Sequence, residues 1–332
     1  MSEFSITNRI KGTLIGCAFG DAMGMPTEML SRVTIDELFP EGISTFEPST
    51  QKDFIGRHFP AGEVTDDTIN TLLVCDTIIE NHGKFITEKY ISMLQDWIAE
   101  NASINPYIMG PNTTKALTAI KNGTPVHLAG RFGTTNGSAM KVSPIGIISD
   151  YNDLPSLADN VEKLCLPTHN TNIAISGACA IAACVSYGVR GNHNIEEMWK
   201  IAFMASEEGV KRGNSVPCVS LQKRMTAVKE LVDKSDEKTV VAQLQNFYGT
   251  GMETIETVPT VLAVVTLSNG IPSLAAKISA NLSGDSDTIG AISTAICGSM
   301  NPVFDEKDVH LLEKVNQIDF DSYAESLSPF VK

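Results

Sequence analysis

The chain has 332 residues, of which 42% are hydrophobic and 19% are charged, a balance that indicates a soluble globular protein with a substantial core. Its formal net charge is −14 at pH 7. Because a polyanion would be repelled by this surface, the charge argues against nucleic acid as the main partner, and we expect no stable nucleic-acid complex.

Neither the first segment of the sequence nor the cysteines indicate secretion or a membrane. The opening segment "MSEFSITNRIKG" is polar and mixed, without a basic region followed by an apolar stretch, so we expect a cytoplasmic protein with no membrane association. The seven cysteines form no C-x-x-C pair and lie mostly in apolar segments. We therefore predict small buried hydrophobic residues rather than zinc ligands or disulfides.

Apolar residues recur at helical spacing along almost the whole chain, whereas alternating strand-like runs are scarce. This pattern predicts an all-α fold. No internal repeat and no linker-like segment divides the sequence. We expect residues 1–332 to form a single domain, and no feature of the sequence indicates an oligomeric state.

The first predicted helix, "KGTLIGCAFGDAMGMPTE", carries a glycine at every fourth position, namely Gly12, Gly16, Gly20 and Gly24. Such a stripe lies on one helix face and costs about 1 kcal/mol of helix propensity per glycine relative to alanine. Close approach of another backbone would compensate for that cost. The alternative is that the last two glycines only end the helix before Pro26.

The segment "GEVTDDTINTLLVCDTII", residues 62–79, places Thr65-Asp66-Asp67-Thr68 at the start of a helical apolar stripe. One interpretation is helix capping, since Asp and Thr side chains satisfy free backbone N–H groups and favour the positive end of the helix dipole. One cap needs one side chain, however. The second carboxylate is surplus to capping and would repel the first.

The run "NIAISGACAIAACVSYG", residues 172–188, is apolar nearly all round and rich in small residues. It is shorter than the roughly 20 residues of a comfortable membrane span. We predict a buried central helix.

A second acidic helix opening lies near the end of the chain, in "NLSGDSDTIGAISTAICG", residues 281–298. Here Asp285, Asp287 and Thr288 again precede a helical apolar stripe. If the two openings meet in space, their carboxylates and hydroxyls form an all-oxygen cavity of high negative charge, which suits Mg²⁺ or Mn²⁺ better than Ca²⁺ and disfavours zinc. Adjacent side chains at a helix start point about 100° apart, so a site for two ions is the hypothesis.

With both openings in place, the chain resembles the ADP-ribosylglycohydrolase family, which includes the dinitrogenase reductase-activating glycohydrolases. The resemblance extends over nearly the whole chain, and its motifs are specific in their order and spacing. They are Gly20-Asp21 with Gly24, Pro26 and Glu28; Gly62 before Thr65-Asp66-Asp67-Thr68; "GPNTTKAL" from Gly110; "TTNGSAMKVSPIGI" from Thr134; Thr168-His169; and "GDSDTIGAI" from Gly284.

The resemblance implies a compact all-α fold with a dinuclear Mg²⁺ or Mn²⁺ centre and cleavage of the glycosidic bond of an ADP-ribosyl group. It also implies roles for individual residues. The metal ligands would be Thr65, Asp66, Asp67, Asp285, Asp287 and Thr288, and Glu28 would be a mobile acid near the metals. The loop that cradles the phosphates and ribose would contain Asn136, Gly137, Ser138 and Met140. His169 would lie near the substrate.

Three positions depart from the family pattern. Ser283 and Ser286 stand where glycine and threonine are frequent, and Lys141 stands where arginine is frequent. Lysine lacks the bidentate grip of arginine on phosphate, so substrate choice is the property most affected.

The predicted reaction is hydrolysis at the anomeric carbon by an activated water, with an aspartate as the base. The candidates for the base are Asp66, Asp67, Asp285 and Asp287, and Glu28 is expected to be a gating or acid/base helper. The expected substrate is an ADP-ribosylated protein, nucleic-acid base or small molecule. Three alternatives stay open: a smaller riboside such as a nucleoside, a non-catalytic relative that binds ADP-ribose, and a phosphatase.

Overall fold

The computed structural model describes residues 4–332, and in that part of the chain it is built from helices, with two isolated β-bridges. The all-α prediction is confirmed. Seventeen α-helices follow one another: Ile6–Gly24 (α1), Arg32–Leu38 (α2), Asp66–Glu80 (α3), Thr87–Glu100 (α4), Pro111–Lys121 (α5), Val126–Ala129 (α6), Ser143–Ile148 (α7), Leu154–Cys165 (α8), Asn172–Val189 (α9), Ile195–Gly209 (α10), Leu221–Lys234 (α11), Glu237–Gln243 (α12), Thr254–Leu267 (α13), Pro272–Ala280 (α14), Ser286–Met300 (α15), Glu306–Asn316 (α16) and Phe320–Leu327 (α17).

Helices α1 and α15 form the closest helix pair at the centre of the molecule, and the glycine stripe is the reason. A Cβ built on Gly12 would lie 2.5 Å from the carbonyl oxygen of Gly298, and one built on Gly24 would lie 2.5 Å from the backbone nitrogen of Asp287. The close-approach interpretation of the stripe is therefore correct. Gly24 is also the last residue of α1, so the helix does end there before Pro26.

Helix α9 is the predicted central helix, and all its residues from Ile173 to Val189 are buried. The Thr171 hydroxyl caps it by accepting the backbone N–H of Ala174 at 3.3 Å. The helix is long and apolar enough to cross a membrane, but 94% of it is buried within the protein. It packs against α7, α8, α10 and α15, which places it in the core.

One large hydrophobic cluster draws side chains from Ile10 to Leu327 and so spans most of the chain. It supports a single domain over residues 1–332, which stays our proposal. Six of the seven cysteines are buried and free, as predicted, while Cys218 is exposed.

Candidate active site

The two acidic helix openings, 220 residues apart in the sequence, meet where α3 and α15 begin. The Thr65 hydroxyl lies 3.4 Å from Oδ2 of Asp287. The Thr288 hydroxyl donates to Oδ2 of Asp67 at 3.2 Å. The α1/α15 contact positions both openings, since Asp287 lies directly against Gly24.

Neither helix is capped by the side chain at its own N-cap position. Thr65 and Asp285 occupy the N-cap positions of α3 and α15, and neither makes a side-chain capping hydrogen bond. The cap of α3 comes instead from Asp21 of α1, whose carboxylate accepts the backbone N–H groups of Thr65 at 3.0 Å and Thr68 at 3.1 Å. The capping interpretation is thus wrong for Thr65 and Asp285. Oδ1 of Asp287, however, accepts the backbone N–H of Thr288 in the first turn of α15 at 2.9 Å.

The carboxylates form two overlapping groups that share Asp287. Asp21, Asp67 and Asp287 make up the first group and Glu28, Asp285 and Asp287 the second; within each, oxygen atoms from the three side chains lie within 4.8 Å of one another. Asp66 belongs to neither group but lines the same cavity.

Burial makes the charged forms of these acids costly. It raises the pKa of Asp287 to about 8, with a further contribution from Asp285. It also raises the pKa of Asp285 and of Asp66 to about 7, and Glu28 adds to both shifts. Burial and the nearby Asp287 raise the pKa of Asp67 well above its usual range. Like charges in a desolvated site are compatible only if protons or cations lie between them.

The donor set fits hard divalent cations. Oδ1 of Asp67 is buried and has no hydrogen-bond partner in the structure, so an acceptor is available toward the cluster. The two groups contain carboxylates only, with the hydroxyls of Thr65 and Thr288 beside them and no histidine or cysteine among them. Such all-oxygen sets are typical of Mg²⁺ or Mn²⁺ sites rather than zinc sites.

A cavity of about 290 Å³ opens onto these acids. Its inner part contains Glu28, Asp66, Asp285, Asp287 and Thr288. Its mouth is apolar: Phe54 is 76% exposed, Tyr107 41%, and Met29 and Met252 each 38%. A polar group can therefore reach the acids while an apolar group rests at the mouth.

Most of the predicted substrate loop lines this cavity, but its first residue is already engaged. Asn136 donates its side-chain amide to Asp285 and, at 2.8 Å, to the Thr257 hydroxyl, and its backbone N–H binds the Met252 carbonyl at 2.8 Å. Gly137 and Met140 line the cavity. Ser138 is fully buried and faces away, donating its hydroxyl to the Ala174 carbonyl at 3.3 Å.

His169 lies beneath Gly137 and lines the cavity, as predicted for a residue near the substrate. A Cβ on Gly137 would come within 2.6 Å of the imidazole Cε1, so only glycine allows the loop to rest on this ring. The ring nitrogens are hydrogen-bonded to the hydroxyls of Thr135 at 3.0 Å and Thr168 at 2.8 Å. Burial, together with the charge of Lys141, lowers the pKa of His169 to about 3, so the ring is neutral.

Lys141 does not reach the cavity. Its side chain is fully buried, its ammonium nitrogen lies 5.4 Å from the centre of the Tyr90 ring, and it has no hydrogen-bond partner among residues 4–332. Lysine at this position therefore makes no direct contact with a molecule in the cavity.

Two site residues are not among those predicted from the sequence. Asp21 stands in the Gly20-Asp21 motif without an assigned role, and Arg57 belongs to none of the motifs. Arg57 is 2% exposed and forms an ion pair with Glu28 at 2.6 Å. No local signal marks either residue, because each acts on a segment distant in the sequence.

The all-α fold and the cavity lined by carboxylates define a class of protein, namely helical proteins with a candidate site for hard divalent cations. The chain belongs to the ADP-ribosylglycohydrolase family, whose model matches residues 3–303. Membership makes it a glycosidic-bond hydrolase of that type, in a family that depends on divalent metal.

Relatives extend along the chain to different degrees. The uncharacterized protein YegU of Escherichia coli K12 is 35% identical over 330 residues, which is 98% of this chain and 97% of YegU. The ADP-ribosylarginine hydrolase Tri1 of Pseudomonas putida GB-1 is 28% identical over 195 residues, 55% of this chain and 47% of Tri1. A solved structure described as an ADP-ribosylglycohydrolase-related protein complex has the same fold, with a TM-score of 0.71, 19% identity and 99% of each chain covered.

Proposed function

We propose that this protein hydrolyses the glycosidic bond between ADP-ribose and an acceptor, which is a protein side chain, a nucleic-acid base or a small molecule. The proposed ligands of two divalent cations, Mg²⁺ or Mn²⁺, are Thr65, Asp66, Asp67, Asp285, Asp287 and Thr288. The observation that carries the proposal is the meeting of the two acidic helix openings at the inner end of one cavity.

Bound divalent cations would supply positive charge for holding ribose hydroxyls and for activating water. The chain's own residues supply the rest. Asp66 and Asp285 line the cavity, so either can accept a proton from the attacking water. Asn136 holds Asp285 in place through its side-chain amide. Glu28 lines the cavity in one group with Asp285 and Asp287, where it can act as an acid/base helper.

Neutral His169 contributes orientation rather than charge. Its Nε2 is hydrogen-bonded to the Thr135 hydroxyl, and both residues line the cavity. The expected partner is an ADP-ribosylated protein or small molecule, and a cytoplasmic location stays a prediction.

A smaller riboside is the second candidate substrate, and one observation favours it. Within residues 4–332, no lysine or arginine lines the cavity, so no basic side chain is available to a diphosphate. Backbone N–H groups can bind phosphate without such a side chain, which keeps ADP-ribose first. A binding-only relative is disfavoured because all six proposed ligand positions carry oxygen side chains.

The test is a substrate panel with Mg²⁺ or Mn²⁺ present, containing arginine-linked, serine-linked and base-linked ADP-ribose and free nucleosides. Release of ADP-ribose that stops on chelation supports the proposal. Release of ribose alone would select the riboside candidate, and inorganic phosphate release from ADP-ribose would select a phosphatase. Binding of ADP-ribose without cleavage of any bond would leave the non-catalytic alternative.

A further inference from the structure

Arg57 lies in the segment between α2 and α3, and its buried guanidinium binds three groups in two turns of the chain. It donates to the Glu28 carboxylate at 2.6 Å, to Oδ2 of Asp53 at 2.9 Å and to the carbonyl of Met25 at 3.2 Å. Met25 and Glu28 lie on the same short turn after α1. One guanidinium thus holds both the backbone of this turn and the acidic side chain that it carries.

The turn that presents Arg57 is itself braced. Oδ1 of Asp53 accepts the backbone N–H groups of Ile55 at 2.9 Å, Gly56 at 2.8 Å and Arg57 at 3.2 Å. Phe54 and Ile55, within this turn, line the cavity. The same five-residue turn therefore forms part of the cavity wall and holds Glu28.

Glu28 needs such a partner because of what it faces. Its carboxylate lies in one group with Asp285 and Asp287, where like charges repel. Arg57 is the basic side chain that pairs with Glu28 in the described part of the chain. Its burial disfavours the charged form, but Glu28, Asp287 and Asp53 outweigh that effect and raise the pKa of Arg57, so the guanidinium stays charged.

We propose that Arg57 is a positioning residue for the hydrolytic reaction: it holds the Glu28 carboxylate against Asp285 and Asp287 at the inner end of the cavity. This inference rests on the proposed function. Its competitor is a purely structural role, in which Arg57 only braces the 53–57 turn through Asp53.

A double-mutant cycle separates the two roles, using Arg57→Lys and Glu28→Gln with the substrate that the wild type cleaves fastest. Lysine keeps the charge but cannot contact Glu28, Asp53 and the Met25 carbonyl together. Misplacing a catalytic group by about 1 Å can cost up to about 100-fold, so we expect Arg57→Lys to lower kcat at least tenfold with little change in KM. In the Glu28→Gln background the same substitution should change kcat less than about twofold, because the carboxylate that Arg57 positions is no longer present.

Asp53→Asn is the matched control. It replaces Oδ2 of Asp53, which accepts from Arg57, with an amide nitrogen and so breaks the Asp53–Arg57 ion pair, while Glu28 itself is unchanged. Because Phe54 and Ile55 of the 53–57 turn line the cavity, Asp53→Asn should change KM. Its effect should be independent of Glu28→Gln, so that in the double variant the two fold-changes multiply. If Arg57→Lys behaves like Asp53→Asn, with effects that multiply in the cycle, the positioning role is overturned. Should Arg57→Lys melt below the assay temperature, Arg57→Gln takes its place.

Binding of Mn²⁺ gives a readout independent of turnover. It is measured by titration calorimetry on the four proteins of the cycle, which are the wild type, Arg57→Lys, Glu28→Gln and the double variant. We expect Arg57→Lys to change the Kd for Mn²⁺ at least about threefold when Glu28 is present and less than about 1.5-fold in the Glu28→Gln background. Equal changes in both backgrounds overturn the inference. A wild type that binds Mn²⁺ but cleaves nothing counts against the proposed function alone, and the Mn²⁺ cycle then decides the role of Arg57. A wild type that neither binds Mn²⁺ nor turns over rejects both.

Discussion

Gly20 of α1 and Gly290 of α15 bring the two helix backbones into direct contact. A Cβ on Gly20 would overlap the Gly290 carbonyl and lie 2.7 Å from the backbone nitrogen of Ala291. The next residue after Gly20 is Asp21, and Asp287 lies three residues before Gly290. The separation of the two helices at this point therefore sets how closely their carboxylates approach.

The first prediction concerns this helix contact. Gly20→Ala should destabilise the protein by about 3 kcal/mol or more, because the obstacle is backbone, which cannot rotate away. It should also reduce turnover in whatever protein remains folded, since Asp21 and Asp287 are pushed apart. Urea denaturation and initial rates check the two effects.

Gly123→Ala is the control for this prediction. Gly123 has a positive φ of 88° and no atom within 4 Å of an added Cβ, so its substitution carries only the left-handed backbone penalty of about 1–2 kcal/mol. Equal losses from the two substitutions would show that the α1/α15 contact is not tight.

The second prediction concerns metal binding and stability. Mn²⁺ should raise the melting temperature of the wild type, because a ligand that binds only the folded state stabilises it. In Asp287→Asn this rise should largely disappear and kcat should fall at least about 100-fold. Without metal, Asp287→Asn should melt at or above the wild-type temperature, because a carboxylate shared by both acidic groups is removed.

Asp96→Asn supplies the control, since Asp96 is an exposed aspartate on α4. It should keep both the activity and the Mn²⁺-dependent rise. Differential scanning fluorimetry measures the melting temperatures. If Mn²⁺ raised the melting temperature of Asp287→Asn as much as that of the wild type, Asp287 would not hold the cation.

The helices and the meeting of the acidic openings were predictable for definite physical reasons. Helical periodicity is a local property, and the surplus carboxylates at Asp66-Asp67 and Asp285-Asp287 have no local explanation. The glycine stripe from Gly12 to Gly24 likewise predicts a backbone neighbour, although it does not identify α15 as that neighbour.

The remaining features depend on contacts between distant segments. Asp21 caps α3 across 44 residues, so a local capping rule assigns that role wrongly to Thr65 or Asp66. Arg57 pairs with Glu28 across 29 residues, from a stretch without periodicity. The burial of the Lys141 side chain was also not predictable, since a charged residue in a loop sequence is ordinarily expected at the surface.

The third prediction concerns the pH dependence contributed by His169. Its pKa is lowered to about 3 in the folded protein, whereas the unfolded value is about 6.5. Below pH 6.5 the unfolded chain therefore takes up a proton that the folded chain does not, and His169 lowers stability by about 1.4 kcal/mol per pH unit as the pH falls.

His169→Gln removes this contribution. The variant is expected to be less stable than the wild type at pH 7, since the contacts with Thr135 and Thr168 change. Between pH 6.5 and pH 5 the difference in the free energy of unfolding should then shrink by about 2 kcal/mol. Denaturant titrations at several pH values measure it, and parallel curves for the two proteins would contradict a neutral buried imidazole.

The fourth prediction concerns Lys141. Its buried ammonium group has no hydrogen-bond partner in the described part of the chain, and burial lowers its pKa to about 8. Because the unfolded value is about 10.4, the folded state carries its full penalty below pH 8 and regains stability as the pH rises from 8 to 10. Lys141→Met, of similar length and uncharged, should therefore be more stable than the wild type at pH 7 by about 1–3 kcal/mol, and this advantage should shrink toward pH 10.

Lys115→Met, an exposed lysine on α5, is the matched control and should leave the free energy of unfolding unchanged. A Lys141→Met variant that is less stable than the wild type at pH 7 would mean that the ammonium gains more from the Tyr90 ring and from nearby Asp66 than burial costs it. If instead stability rises while turnover falls, the chain keeps an unfavourable buried charge for the benefit of the site. The positive charge would then act on the cavity through its electric field, because Lys141 does not line the cavity and cannot touch a molecule bound there.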